Sequence, residues 1–245
     1  MARDGRAFKS IVMTKFKLFC FPYAGGSAVI YNKWRPYLRA DIELIGVELA
    51  GRGRRIADPL YGAVPEMIDD VFRLVTARLD GTPYALFGHS MGGMISYRLA
   101  QKLSMHRLPA PMHLFFSGRG APNSVRADKE LYHLLDDGRF REKVMDLGGT
   151  PPEFFEYPEL VDLFLPLLRN DFRMAETDVR GERAVPLQND ISVFMGKDDD
   201  LSAEECDSWK HCAAGRCTIY YFNKGHFFLH DETEEIVSII NNILI

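Results

Sequence analysis

The chain has 245 residues, a formal net charge of −4 and a sequence pI near 6.0. Proteins that bind nucleic acid usually carry a basic stripe and a high pI, so this charge argues against a nucleic-acid partner. No apolar run reaches the ~18 residues that a membrane helix needs, and the apolar stretch 11–13 is too short for a signal-peptide core. We therefore expect a cytoplasmic protein with no membrane segment, folded as one domain over residues 1–245.

Six short apolar runs predict β-strands. They are rich in aromatic and β-branched residues and are bounded by glycine, proline or polar turns. Their hydrophobicity is nearly continuous rather than alternating, which favours a parallel sheet that is covered on both faces. The runs are 16–21, 42–47, 84–87, 113–117, 191–195 and 218–222.

Helical patterns lie between these runs. Apolar residues recur at spacings of three and four in 66–79 and 91–105, and a broad apolar face runs through 232–244. The alternation predicts an α/β fold with a mostly parallel central sheet flanked by helices. Segment 122–185 has helical patterns but no strand candidate, so we predict a helical lid over the carboxyl edge of the sheet, with ordinary packing helices as the alternative. Residues 1–12 are unlike the rest and are expected to form a disordered lead-in.

The sequence Gly-His-Ser-Met-Gly at 88–92 stands between a predicted strand and a predicted helix. A serine on such a sharp turn presents its Oγ at the helix N-terminus, and the glycines beside it let strand and helix backbones approach closely. The helix dipole and free N–H groups favour negative charge at this point. Ser90 is therefore the predicted nucleophile, with a structural turn serine as the alternative.

A serine nucleophile needs a base, and in chains with this turn an acid and then a histidine follow the serine. Three histidines come late enough in the chain: His211, His226 and His230. His226 follows the last predicted strand, and Gly225 gives the loop the freedom to present the ring. We therefore predict His226 as the base, and a structural histidine is the alternative.

The acid is expected after strand 191–195, where Asp198, Asp199 and Asp200 are adjacent. The usual Gly-x-x-Asp spacing, counted from Gly196, selects Asp199. The other two aspartates remain possible acids; otherwise they are expected to be solvated or to cap a helix that starts at about 202. The acid holds the histidine in the required tautomer and stabilises its charged form.

The oxyanion that forms on a substrate carbonyl needs two N–H donors. Met91, directly after the nucleophile, is predicted to supply one. The glycine-rich loop 21–26 is predicted to supply the other, with Ala24 as first choice and Tyr23 as second. This loop has no G-x-G-x-x-G pattern, so we do not predict a nucleotide site.

No resident metal or cofactor is predicted. The three adjacent aspartates lack the spacing of an EF-hand calcium loop, and the cysteines lack C-x-x-C spacing. Free, buried thiols are expected instead of disulfides in a large chain without a signal sequence. The cysteines are Cys20, Cys206, Cys212 and Cys217.

Five motifs, in this order and spacing, resemble the type II thioesterases, which are stand-alone editing enzymes of nonribosomal peptide and polyketide synthesis with the α/β-hydrolase fold. The motifs are CFPYAGG at 20–26, GHSMGG at 88–93, LGGTP at 147–151, LPLLRND at 165–171 and GH at 225–226. The resemblance covers about 15–245, and its motif positions fall on Ser90, Asp199 and His226. Similar proteins usually have proline where this chain has Ala50, a difference that affects loop stiffness rather than the catalytic groups.

The resemblance implies hydrolysis of aberrant or stalled acyl and aminoacyl thioesters on the phosphopantetheine arm of carrier proteins, through an acyl-Ser90 intermediate. The arm arrives with the substrate, so the protein needs no cofactor of its own. Arg52, Arg54 and Arg55 are candidates to meet the carrier protein or the phosphate of the arm, and a solvated basic turn is the alternative.

Three other functions stay open. They are a medium-chain acyl-carrier thioesterase, a carboxylesterase or lipase, and a hydrolase-fold binding protein without activity. The last is disfavoured because the sequence lacks no member of the predicted triad. A monomer is expected, since no heptad pattern or self-pairing strand is visible.

Overall fold

The computed structural model describes residues 15–122, 124, 130–149, 156–178 and 185–245. Within these ranges six strands, all parallel, form one sheet in the order β2-β1-β3-β4-β5-β6. The strands are β1 (Phe16–Phe21), β2 (Ile42–Gly46), β3 (Tyr84–His89), β4 (His113–Ser117), β5 (Ile191–Gly196) and β6 (Cys217–Phe222).

All six predicted strands are confirmed, with bounds that differ by two residues at most. β3 runs on through Gly88 and His89 because these residues still pair with β4, at Phe116 and Ser117. β1, β3 and β4 are buried along their whole length, as their nearly continuous apolar sequences predict.

Helices cover both faces of the sheet. Val71, Val75 and Leu99 pack in the core on one face, whereas Trp34 and Ile236 pack on the other. None of the helices in the described ranges is long and apolar enough to cross a bilayer. The helices are α1 (Val64–Thr76), α2 (Met91–Met105), α3 (Asp137–Leu147), α4 (Pro158–Thr177), α5 (Ala203–Asp207), α6 (Phe228–Asp231) and α7 (Thr233–Ile243).

The described part of segment 122–185 is helical and contains no strand. α3 and α4 share a small apolar core that includes Phe140, Val144 and Leu165. α3 ends at Leu147 and is capped by Gly148, whose φ of 80° favours glycine. The expected lead-in over 1–12 and part of the LGGTP motif, 150–151, lie outside the described residues.

Three histidines inside the fold have pKa values below their usual 6.5 because burial disfavours the charged ring. The pKa of His113 and of His230 is lowered to about 4, and that of His89 is lowered well below 6.5. Between pH 6.5 and 4 the unfolded chain therefore binds protons that the folded chain does not. The stability that these neutral rings contribute is complete above pH 6.5 and decreases as the pH falls towards 4.

We expect His113→Gln to weaken this pH dependence. Glutamine does not titrate, yet it keeps a polar partner for the Ser192 hydroxyl, which lies 2.9 Å from His113 Nε2. The free energy of unfolding, measured with urea at pH 7, 5.5 and 4.5, should fall less in the variant than in the wild type. The control is His211→Gln at an exposed position, and equal slopes in wild type and His113→Gln would contradict the prediction.

Candidate active site

Ser90 occupies a strained turn between β3 and α2. Its φ of 52° and ψ of −112° are rare for a residue with a side chain. The Ser90 N–H donates to the carbonyl of Ser117 at the end of β4, with an N···O distance of 2.7 Å. The turn is thus tied to the neighbouring strand, and Ser90 lines the cavity at the carboxyl edge of the sheet.

The two outer glycines of the Gly-x-Ser-x-Gly motif lie where backbones touch. A Cβ on Gly88 would stand 1.9 Å from the Gly92 carbonyl oxygen, and a Cβ on Gly92 would stand 2.0 Å from the Phe21 carbonyl oxygen. Gly93 differs, because a Cβ there would make an ordinary contact at 3.5 Å with the Arg119 side chain. The close packing of β1, β3 and α2 therefore requires glycine at 88 and 92 but not at 93.

Gly88→Ala is expected to lower the free energy of unfolding by at least ~2 kcal/mol, because two backbones must separate to admit the methyl group. Gly93→Ala is the matched control in the same motif. Alanine favours a helix over glycine by up to ~1 kcal/mol, so this variant should be as stable as the wild type or more stable. Urea unfolding of both variants measures the difference. A similar loss of unfolding free energy in the two variants would show that close backbone contacts are not the reason for glycine at position 88.

His226 and Asp199 meet at the ends of two strands. Asp199 follows β5, His226 follows β6, and His226 Nδ1 lies 2.9 Å from Asp199 Oδ2. The two side chains are only 16% and 5% exposed. The loops that carry them are joined by a hydrogen bond from Asp198 N–H to the Lys224 carbonyl. The structure thus brings together the base and the acid that the sequence predicts.

Within the triplet the Asp199 carboxylate is bonded to His226, whereas Asp198 and Asp200 are exposed. The helix that follows them, α5, is capped by Ser202 in a capping box with Glu205. The expectation that Asp198 or Asp200 caps this helix is therefore wrong, because a hydroxyl nearer to the helix start accepts the Glu205 N–H.

The two other candidate histidines do not line the cavity that contains Ser90. His211 is exposed and ends the 3₁₀ helix Ser208–His211. His230 Nε2 lies 3.0 Å from the Tyr23 hydroxyl, and its Nδ1 lies 2.8 Å from Lys33 Nζ. Only His226 of the three lines the cavity with Ser90.

The loop after β1 passes beside the nucleophile. Gly25 N–H donates to Asp171 Oδ2 over 2.7 Å, and Gly26 N–H donates to the Tyr23 carbonyl over 2.9 Å. These two amides are therefore used inside the protein, which leaves Ala24 and Tyr23 as the candidates of this loop. Both residues line the cavity, and Ala24 stays the first choice as the oxyanion donor. Met91 is the first residue of α2, where an N–H has no acceptor within its helix.

The cavity that contains Ser90, Asp199 and His226 has a volume of about 370 Å³. Arg119, which sequence reasoning missed, also lines it and donates from Nη2 to the Ala175 carbonyl of α4 over 3.1 Å. Burial lowers the pKa of this guanidinium below its usual value. Helices α3 and α4 contribute an apolar wall formed by Val144, Leu147, Phe164, Leu168 and Phe172.

The basic turn after β2 differs from its prediction. Arg52 is buried and forms an ion pair with Asp171, so the idea that Arg52 meets a carrier protein or phosphate is wrong. Arg55 pairs with Asp58 and Asp70. Arg54 is exposed. Two of the three arginines of this turn are thus paired inside the protein, and Arg54 is the exposed one.

The cysteines and acidic residues show no metal arrangement. Within the described ranges, no group of three or more His, Cys, Asp or Glu side chains lies close enough to hold a metal ion. None of the four cysteines forms a disulfide; three are buried and Cys217 is partly buried, close to the expectation of buried thiols rather than disulfides.

Comparison with known proteins agrees with this geometry. Residues 16–244 match the family model described as the Thioesterase domain. The gramicidin S biosynthesis protein GrsT of Aneurinibacillus migulanus is 31% identical over 91% of this chain and 86% of its own. The human medium-chain S-acyl fatty acid synthase thioesterase is 32% identical over 94% of this chain and 86% of its own. The crystal structure of ClbQ from the colibactin NRPS/PKS pathway has a TM-score of 0.86 and 34% identity, and the match covers 94% of this chain and 97% of ClbQ. The chain therefore belongs to the thioesterase family and is a hydrolase of the α/β-hydrolase fold that acts on thioesters.

Proposed function

We propose that the protein is an editing thioesterase that removes aberrant or stalled acyl and aminoacyl groups from the phosphopantetheine arm of carrier proteins in nonribosomal peptide or polyketide synthesis. The observation that carries the proposal is one cavity in which Ser90 and the His226–Asp199 pair meet an apolar wall from α3 and α4, the helices of the predicted lid. Such a wall suits the acyl end of a thioester. The similarity to ClbQ supports a carrier-bound substrate.

The mechanism follows from which atoms are engaged. His226 Nδ1 is bonded to Asp199, so Nε2 is the nitrogen that takes the proton from Ser90 as Oγ attacks the thioester carbonyl. The N–H groups of Met91 and Ala24 stabilise the oxyanion. The C–S bond then breaks, and His226 returns the proton to the leaving thiolate. Water then attacks the acyl-Ser90 carbonyl as His226 takes its proton. The bond from the carbonyl carbon to Ser90 Oγ breaks, His226 returns the proton to Oγ, and the acid is released.

A second candidate is a medium-chain acyl thioesterase. The apolar lid wall would also accept an alkyl chain, and the human medium-chain enzyme is among the relatives. The two functions differ in chain-length preference. An editing enzyme should cleave acetyl groups efficiently, whereas the alternative should favour octanoyl or longer chains.

Single-turnover hydrolysis of matched substrates separates these functions. The substrates are acetyl- and octanoyl-phosphopantetheinyl carrier protein, acetyl-CoA and p-nitrophenyl acetate, with Ser90→Ala as the blank. We expect the acetyl carrier protein to react fastest. Faster cleavage of the octanoyl carrier would favour the medium-chain enzyme, and faster cleavage of the free oxygen ester would favour an esterase. Light scattering of the same preparation tests the expected monomer.

A further inference from the structure

Two motifs that the triad does not explain meet at one buried ion pair. Arg52 comes from the basic turn after β2, and Asp171 is the last residue of LPLLRND on α4. The contact is bidentate, with Nη1–Oδ2 at 2.6 Å and Nη2–Oδ1 at 2.7 Å. The side chains are 4% and 0% exposed, so the pair is shielded from water.

The pair is also bonded to the loop that carries Ala24. Asp171 Oδ2 accepts the Gly25 N–H over 2.7 Å, and Arg52 Nη1 donates to the Gly26 carbonyl over 3.2 Å. Gly25 has a φ of 76°, and a Cβ there would stand 2.6 Å from Leu168 Cδ1 on α4. The two residues after Ala24 are thus fixed by a charge pair and by direct contact with the lid helix.

A buried ion pair is weak evidence for stability, because the cost of removing two charges from water offsets their attraction. Its bidentate geometry, however, fixes the position of whatever is bonded to it. An oxyanion donor is effective only when it is held in place before the reaction. The contacts of Arg52 and Asp171 therefore bear on catalysis through the loop rather than on folding alone.

We propose that Arg52 and Asp171 are positioning residues that hold the Ala24 N–H in place for the oxyanion and so couple lid helix α4 to catalysis. The inference rests on the proposed role of Ser90 as nucleophile. Any movement of α4 away from the sheet breaks the hydrogen bond from the Gly25 N–H to Asp171, and residues 24–26 are then no longer held in place. The enzyme is therefore fully active only when α4 is seated against residues 25–26.

Two variants test the pair. Asp171→Asn keeps the shape of the side chain, and Arg52→Met with Asp171→Leu removes both charges together, which avoids leaving one charge buried. With p-nitrophenyl butyrate and S-butyryl-pantetheine we expect kcat to fall by about 10- to 100-fold in both variants, because loss of one oxyanion donor costs about 10²- to 10³-fold. KM should change by less than about threefold. Thermal unfolding shows whether each variant is folded.

A transition-state analogue gives a readout that a purely structural role would not change. Ser90 Oγ adds to the carbonyl carbon of an alkyl trifluoromethyl ketone, and His226 takes the serine proton. The negative oxygen of the resulting adduct lies in the oxyanion hole. Its affinity should fall by about the same factor as kcat, since catalysis and analogue binding use the same stabilisation. The corresponding methyl ketone, which forms no stable adduct, should bind the variants as it binds the wild type.

Arg169→Met is the lid control. Arg169 donates to the carbonyls of His133 and Leu135 within the lid and has no bond to the loop after β1. Its kcat should stay near the wild-type value. An equal fall of kcat in this control, or wild-type kcat and analogue affinity in the folded double variant, would overturn the inference. If the wild type cleaves neither of these substrates nor the acetyl carrier protein, the proposed function fails, and the ketone affinities alone decide about the pair.

Discussion

Replacement of Ser90 by alanine is expected to lower kcat for thioester hydrolysis by at least ~10⁴-fold, because no acyl-enzyme forms without Oγ. The fold should survive, since the N–H of residue 90 keeps its bond to the Ser117 carbonyl. Hydrolysis of acetyl carrier protein, followed by mass spectrometry of the protein after quenching, shows both the rate and the acyl adduct. Residual activity above about one per cent, or an acyl adduct on the variant, would place the nucleophile elsewhere.

Position 90 should also show that the backbone conformation needed for catalysis lowers the stability of the fold. Ser90 has a φ of 52°, which costs a non-glycine residue of order 1–3 kcal/mol. Ser90→Gly, equally inactive, should therefore be more stable than Ser90→Ala by about 1 kcal/mol. Urea unfolding of the two inactive variants makes the comparison at equal activity. Equal stability would mean that the turn is not strained.

The sheet and its turn were predictable because their signals are local. A parallel strand buried on both faces must be apolar at successive positions, as Leu18, Phe19 and Cys20 are in β1. The glycines at 88 and 92 likewise reflect contacts within one turn and its neighbouring strand. The predicted strand bounds are therefore close to the observed ones. The predicted end of β3 is two residues short because Gly88 is typical of a turn, although it still pairs with β4.

The contacts that join distant segments were not predictable in the same way. Arg52 and Asp171 are 119 residues apart, and nothing local shows that an arginine in a basic turn is buried. Its neighbour Arg54 has the same chemistry and is exposed. Arg119 was missed for the same reason, because its place in the cavity depends on α4 lying across the sheet. Charged side chains are exposed to solvent on average, but an individual ion pair such as Arg52 and Asp171 can be buried.

The acid of the triad shows both what local sequence predicts and what it leaves open, within three adjacent aspartates. Counting from Gly196 selects Asp199, but composition cannot distinguish it from Asp198 or Asp200. The structure supplies the distinction, since the Asp199 carboxylate is bonded to His226 and is 5% exposed. A mutation that changes charge without changing shape can then test each aspartate separately.

Asp199→Asn is expected to lower kcat by about 10³- to 10⁴-fold with little change in KM. The amide group of asparagine donates to His226 Nδ1 and so favours the tautomer with its proton on Nε2, which cannot accept the proton of Ser90. Asp198→Asn is the matched control, because its side chain is exposed and the bond from its backbone N–H to the Lys224 carbonyl is kept. It should retain kcat within about threefold.

Steady-state kinetics with acetyl carrier protein and p-nitrophenyl acetate measure both asparagine variants. The loss in Asp199→Asn should be similar for the two substrates, because acylation and deacylation both use His226 as a base. A loss confined to the carrier substrate would instead assign Asp199 to carrier binding. A large loss in Asp198→Asn with an active Asp199→Asn would move the acid by one residue, and the bond between Asp199 and His226 would then serve only to hold the two loops together.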